Sequence, residues 1–197
     1  MDLQGDVEVD PTLDPNQLLV AEYNYVAQTA FQVNEDRARV AVFYLTAVGG
    51  LLLAILGAQS QVKPTPGVYW AFAALFGAVS FSGLLTLLQL VRLRQAWFDS
   101  VRAMNRIKEY YINHSGHASL PLALAWRAST MPRPFSMRTI SFLYAVQVAC
   151  LSGLTAGIMV MFIGFVYQSW WWSWALLVGG GYAAAQLLLY WRLLRRK

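Results

Sequence analysis

The sequence predicts an all-α integral membrane protein: four transmembrane helices arranged as two antiparallel hairpins, with helical extensions on the cytoplasmic side. Three observations carry this expectation. Residues 40–62, 68–91, 139–167 and 174–191 are long stretches without a charged side chain, and such lengths cross a hydrocarbon core of about 30 Å. Apolar residues make up 57% of the chain and charged ones 13%, where soluble domains carry about 25% charged. The fifteen lysines and arginines are also unevenly spread. Two precede the first stretch, eight lie between the second and third, and four follow the last, which leaves Lys63 alone in the first turn and none in the second. Basic residues are retained in the cytoplasm, so both termini and the middle loop are expected there, in a plasma membrane of bacterial type.

Residues 1–14 form an acidic arm without aromatics, and such a composition favours disorder. Residues 15–62 read as a cytoplasmic helix running into the first span. Asp14 is placed to cap it, Pro15 suits the first helical position and Gln17 sits where a capping box takes Glu or Gln. Leu19, Tyr23, Val26, Ala30 and Phe31 follow helical spacing. Glu35 and Arg39 stand four apart in the favourable order for an intrahelical pair.

Residues 63–91 hold a proline-containing turn and the second span, which ends at Arg92 and Arg94 as snorkelling interface anchors. Residues 92–138 form a basic cytoplasmic helix and loop. No Gly or Pro interrupts residues 84–115, so helix is expected to about Asn113. Its apolar stripe is Leu93, Trp97, Val101, Met104 and Tyr111, a candidate docking face. A break at residues 113–119, a short helix over residues 120–127 and an extended stop at residues 131–134 follow, and Ser136 is placed to cap the third span, residues 139–167. Residues 168–191 contain a Trp-rich turn and the fourth span. Trp170, Trp171, Trp172 and Trp174 mark the outer membrane–water boundary. Residues 192–197 are a basic anchor.

No cleavable signal is expected, because the N-terminus is acidic where a basic region belongs. Position 2 is Asp rather than the Gly needed for myristoylation, and the last residues are not a prenylation box. Cys150 stands alone in the third span; no disulfide can form within the chain, and it is expected to pack as a small apolar side chain.

The chemistry is sparse. Apart from Lys63 at the turn, the spans hold no Asp, Glu, Lys, Arg or His, which argues against proton-coupled transport and against intramembrane haem ligation. His114 and His117 lack further donors nearby, and no nucleophile elbow accompanies Ser115 or Ser119. No enzyme activity, cofactor or metal site is expected. The charge of residues 92–138 is that of a loop beside anionic lipid rather than a nucleic-acid surface. Small residues recur every four positions, notably Gly50 and Ala54, then Ala149, Gly153 and Gly157, then Gly181 and Ala185. Such rows serve packing within the chain or a homo-oligomer seam.

Residues 34–39 (Asn-Glu-Asp-Arg-Ala-Arg), 92–97 (Arg-Leu-Arg-Gln-Ala-Trp) and 104–111 (Met-Asn-Arg-Ile-Lys-Glu-Tyr-Tyr) flank the first pair of spans with cytoplasmic helix. This layout, over roughly residues 15–113, resembles the SLATT-type two- and four-span effector domains of bacterial nucleotide-signalled defence. The resemblance implies a protein that oligomerises and perturbs the membrane. The second pair of spans departs from the two-span form, and no nucleotide-binding module is attached. From the residues themselves the expectation is a non-enzymatic subunit or scaffold in a membrane assembly, with the lipid bilayer and either its own copies or other membrane subunits as partners. The alternative is an oligomeric pore or membrane-disrupting effector.

Overall fold

A computed structural model of the chain describes residues 14–58, 65–114, 135–169 and 171–195, with Lys63, Leu124 and Met131 as isolated positions. The described residues form four α-helices: α1 (Pro15–Ala58), α2 (Pro66–His114), α3 (Ile140–Val166) and α4 (Trp172–Arg195). Each is long and apolar enough to cross a membrane, which makes this a multi-pass membrane protein by length and composition.

The helix ends follow local chemistry. Asp14 accepts the Asn16 amide at 2.9 Å and its carbonyl accepts the Leu18 amide, so the expected cap is present. The third span is capped differently from the sequence expectation. Thr139, not Ser136, is the N-cap: its side chain accepts from the Phe142 amide, while the Thr139 hydroxyl donates to the Ser136 carbonyl at 2.9 Å. Ser136 therefore contributes only its backbone. α3 ends in a Schellman-type turn, in which the Gln168 amide reaches the Phe165 carbonyl and the Ser169 amide the Gly164 carbonyl, both at 3.1 Å. That turn places Gln168 at φ 52, a left-handed position that glycine occupies without strain.

Other boundaries shift modestly. α1 is described to Ala58, and residues 59–62, up to the expected limit, lie outside the described residues; α2 reaches His114 without a break. α3 is one residue shorter than the expected span at each end, and α4 is longer, at Trp172–Arg195. The short helix at residues 120–127 and most of the 131–134 stop lie outside the described residues. Asp36, not Glu35, meets Arg39, at 3.7 Å and three positions away. Phe31 leaves the predicted stripe and is exposed, while Val26 and Ala30 are buried.

The chain divides into two compact units. One comprises residues 1–32 and 99–131, and the other residues 33–98 and 132–197. In the first, Lys108 lies 6.0 Å from the Tyr23 ring centroid, and Leu19, Val20, Tyr23, Ile107, Lys108, Tyr111 and Leu124 line a pocket of about 310 Å³. The second unit has a core drawn from all four helices: Tyr44 and Val48 from α1, Leu87, Leu90 and Val91 from α2, Ala145, Val148 and Ala149 from α3, Tyr190 and Leu194 from α4.

The second unit buries polar residues beside its apolar core and exposes many large apolar ones. Ser80, Thr86, Ser141, Ser152, Thr155 and Gln186 are buried, whereas Phe43, Leu53, Phe81, Leu176 and Leu177 are exposed. Water would penalise that arrangement, and lipid tails do not, because they solvate leucine and phenylalanine as well as a core does.

Candidate functional site

Two buried polar clusters stand out in the second unit. The first lies midway along the apolar stretches, where the Ser152 and Tyr44 side chains close in on α2. Gly83 of α2 makes this possible: a Cβ there would fall 2.4 Å from the Ser152 Cβ and 2.5 Å from the Tyr44 hydroxyl. Around that approach, the Ser80 hydroxyl donates to the Ser152 carbonyl at 3.0 Å. The Tyr182 hydroxyl donates to the Ser80 carbonyl at 3.2 Å, and the Tyr44 hydroxyl to the Val79 carbonyl at 3.4 Å. The Ser152 hydroxyl lies within hydrogen-bond distance of Gln186 Oε1, at 2.9 Å, and of its own helix at the Ala149 carbonyl, at 3.2 Å. Thr155 bonds back to the Ser152 carbonyl. Gln186 Nε2 is buried without a described partner. These hydroxyls bond across helices or to their own backbone, as a low-dielectric interior requires.

The second cluster sits where the apolar stretches end. Arg37 is 4% exposed and Arg94 7% exposed. Arg37 Nη1 donates to Ser141 Oγ at 2.6 Å and to Asn34 Oδ1 at 3.3 Å. The Arg94 guanidinium stands 4.7 Å from the Phe98 ring centroid and 5.1 Å from that of Trp97, and such stacking stabilises a partly desolvated cation. Gln95 Nε2 donates to the Leu193 carbonyl at 3.2 Å, tying α2 to α4. Both arginines lie just outside the uncharged stretches. Burial lowers the pKa of each, and the nearby Arg94 cation lowers that of Arg37 further. A guanidinium starts so high that both remain cations at any physiological pH.

Arg94 is thus a correction: the expected snorkelling anchor is buried under aromatic rings, while Arg92 alone remains exposed. Trp172 and Trp174 are exposed and Trp171 is half-buried; Trp170 lies outside the described residues. The α2 stripe is rotated relative to the expected one. Its buried line is Arg94, Phe98, Val101 and Asn105, with Leu93, Trp97, Met104 and Tyr111 half-buried on its flank. Hydrophobicity alone misplaces it, because two of its four members are polar.

The small-residue positions divide into two groups. A Cβ on Gly153 would fall 2.6 Å from the Gly179 carbonyl oxygen and 2.8 Å from the Ala183 Cβ, and one on Gly157 would fall 2.8 Å from the Ala175 carbonyl oxygen. Along with fully buried Ala149, these residues pack α3 on α4 within one chain, meeting α4 in reverse order. Gly50 and Gly181 meet nothing within 4 Å, and Ala54 and Ala185 are exposed. Cys150, expected to pack as a small apolar side chain, is exposed. It lines a shallow apolar groove of about 500 Å³ between α3 and α4, with Leu154, Ile158, Leu176 and Ala183 among its walls.

Sequence reading missed Arg37, Gly83 and Asn105. The available signal for Arg37 was its place as one of two bases just before an uncharged stretch. Gly83 falls off every four-residue small row singled out there, and Asn105 looks like a polar surface residue. No group of His, Cys, Asp or Glu placed to hold a metal ion occurs among the described residues. No family model, curated protein or solved structure matches this chain.

Proposed function

We propose that this protein is a non-enzymatic, multi-pass membrane subunit or scaffold, with two antiparallel helix hairpins and both termini and the residue 92–138 loop in the cytoplasm. The observation that carries the reading is the pairing, in the second unit, of polar groups buried beside the apolar core with large apolar side chains on the outer face. Its buried hydroxyls bond to backbone carbonyls and to Gln186 inside, while the outer face holds large apolar side chains and the uncovered glycines Gly50 and Gly181. Uncovered glycines let another helix approach to backbone distance. The inward-facing hydroxyls support a packed helix bundle more than a polar pore lining built by several chains. The fourteen bases at one side against Lys63 at the other support the orientation.

Mass measurement of the full chain in nanodiscs tests the assembly. Gly181→Leu has room in the single chain, so it should leave folding intact and shrink the assembly. A partner-free monomer unchanged by Gly50→Leu and Gly181→Leu would overturn the scaffold reading. Dye release from liposomes carrying the purified protein would instead favour the pore. Labelling of a cysteine at position 117 or 197 by an impermeant reagent from outside would reverse the orientation.

A further inference from the structure

Gln147 is out of place on the outer face of α3. Its side chain is exposed and has no hydrogen-bond partner among the described residues. It stands nine positions after Arg138. At about 1.5 Å per residue that is about 13 Å along the helix, close to the middle of a hydrocarbon core of about 30 Å. Glutamine is shorter than the lysine and arginine chains that snorkel, and it does not reach water from that depth. Exposed Gln89, by contrast, lies three positions from Arg92 at the end of its stretch. An amide carries both donors and an acceptor, and lipid tails answer neither. The acyl chains that solvate Leu143 and Leu154 therefore leave Gln147 unsatisfied.

The residues beside it form a seam. Ile140, Leu143, Gln147, Cys150 and Leu154 are all exposed, at spacings of three, four, three and four. That is the repeat along which two helices wrap around each other, and a single polar residue in such a seam sets its register. Beyond Leu154 the line continues in half-buried Ile158 and Met161. With Leu176 and Gly180 of α4, these two wall the apolar groove of about 500 Å³. The groove is therefore continuous with the face that carries Gln147, and it has room for side chains of an incoming helix.

We propose that this face of α3 is the contact between two copies of the chain. The two Gln147 amides bond to each other across a two-fold axis, and large apolar side chains of each copy seat in the groove of the other. The proposal rests on the membrane-subunit reading above and names its partner and its seam. Copies inserted in the same orientation share an axis normal to the membrane, so α3 meets α3 in parallel and each residue meets its own counterpart at one depth. Few polar side chains suit such a contact. Like charges repel there, whereas an amide gives one N–H to its copy and accepts one in return. That self-complementarity is what favours a second copy over lipid or an unrelated helix. Cys150 is covered in the paired state and open in single chains dispersed in detergent. Gly50 and Gly181 are not on this seam, and their variants test other contacts.

The test uses the single cysteine of the chain, which stands about one helical turn beyond Gln147 on the seam. The full chain is reconstituted in phosphatidylcholine liposomes over a range of protein-to-lipid ratios and oxidised with copper–phenanthroline. Wild type should form a disulfide-linked dimer through Cys150. Its yield should exceed several-fold that of a Cys150→Ser, Leu85→Cys double variant, whose thiol is placed at an exposed position inside the α2 stretch and reports random collision. Gln147→Leu, at an exposed position that the single chain accommodates, should weaken the dimer by about threefold to tenfold, the scale of one interhelical hydrogen bond in lipid. Gln147→Asn keeps the amide and should fall between the two. Equal cross-linking of the two cysteines, or a Gln147→Leu dimer as stable as wild type, would overturn the proposal. A single chain released from nanodiscs with phospholipid bound would give the groove to lipid and overturn it too. A protein that is multimeric by nanodisc mass but does not cross-link at Cys150 would refute this seam and leave the subunit reading intact.

Discussion

Gly153→Ala tests whether the closest α3–α4 approach belongs to one chain. The added methyl would lie 2.6 Å from the Gly179 carbonyl oxygen and 2.8 Å from the Ala183 Cβ. Atoms in ordinary contact sit about 3.5–4.0 Å apart, so the two helices must separate by roughly 1 Å or bend. Neither obstacle is the flexible end of a long side chain, so neither yields cheaply. Overpacking of this kind costs about 1–3 kcal/mol. The better helix propensity of alanine offsets about 1 kcal/mol of that, leaving an expected net loss of up to about 2 kcal/mol. Gly181→Ala is the matched control: its Cβ meets nothing within 4 Å, so it should be neutral or stabilising by up to about 1 kcal/mol. Unfolding by sodium dodecyl sulfate in mixed micelles, followed by tryptophan fluorescence, measures both. If Gly153→Ala is as stable as Gly181→Ala, the internal contact is refuted. If Gly153→Ala lowers the oligomer mass while monomer stability holds, the glycine belongs to an interface between chains.

Ser152→Ala removes the hydrogen-bond partner of Gln186 Oε1 and should cost about 1 kcal/mol. The double variant with Gln186→Leu should recover part of that loss, and a double variant worse than the sum of the singles would contradict the internal network. Gln168→Gly should stabilise by about 0.5–1 kcal/mol, because glycine occupies the left-handed φ without a Cβ clash; the same titration checks it, and destabilisation would count against the Schellman-type turn. Cys150 should react with a small maleimide in detergent under native conditions, since it is exposed. Labelling seen by mass only after unfolding would place it back in a packed interior.

The existence, type and order of the elements were legible in the sequence because they depend on one-dimensional quantities. An uncharged run of sufficient length needs a helix to satisfy its backbone in lipid, and the lack of Gly and Pro over residues 84–115 leaves α2 free to continue to His114. Asp14 was legible as a cap because capping is local. Thr139 displaced Ser136 because two hydroxyl residues three positions apart can each serve, and the path of the chain into α3 selects between them.

What only the tertiary structure decided is which face of each helix turns inward. In a span that is apolar all round, hydrophobic periodicity carries little phase information; the phase follows instead from where two backbones can approach. Gly153, Gly157 and Gly179 take that role, and Gly83 makes room for the Ser152 and Tyr44 side chains, while Gly50 and Gly181, equally small, face outward. The same rotation buries Arg37, Arg94 and Asn105, three residues that a sequence reading assigns to water. The sequence by itself therefore determined a four-helix membrane chain with its bases near the span ends. The helix–helix contacts determined that two of those bases are held inside, because side-chain burial depends on the rotation of one helix against its neighbours and no local pattern encodes that angle.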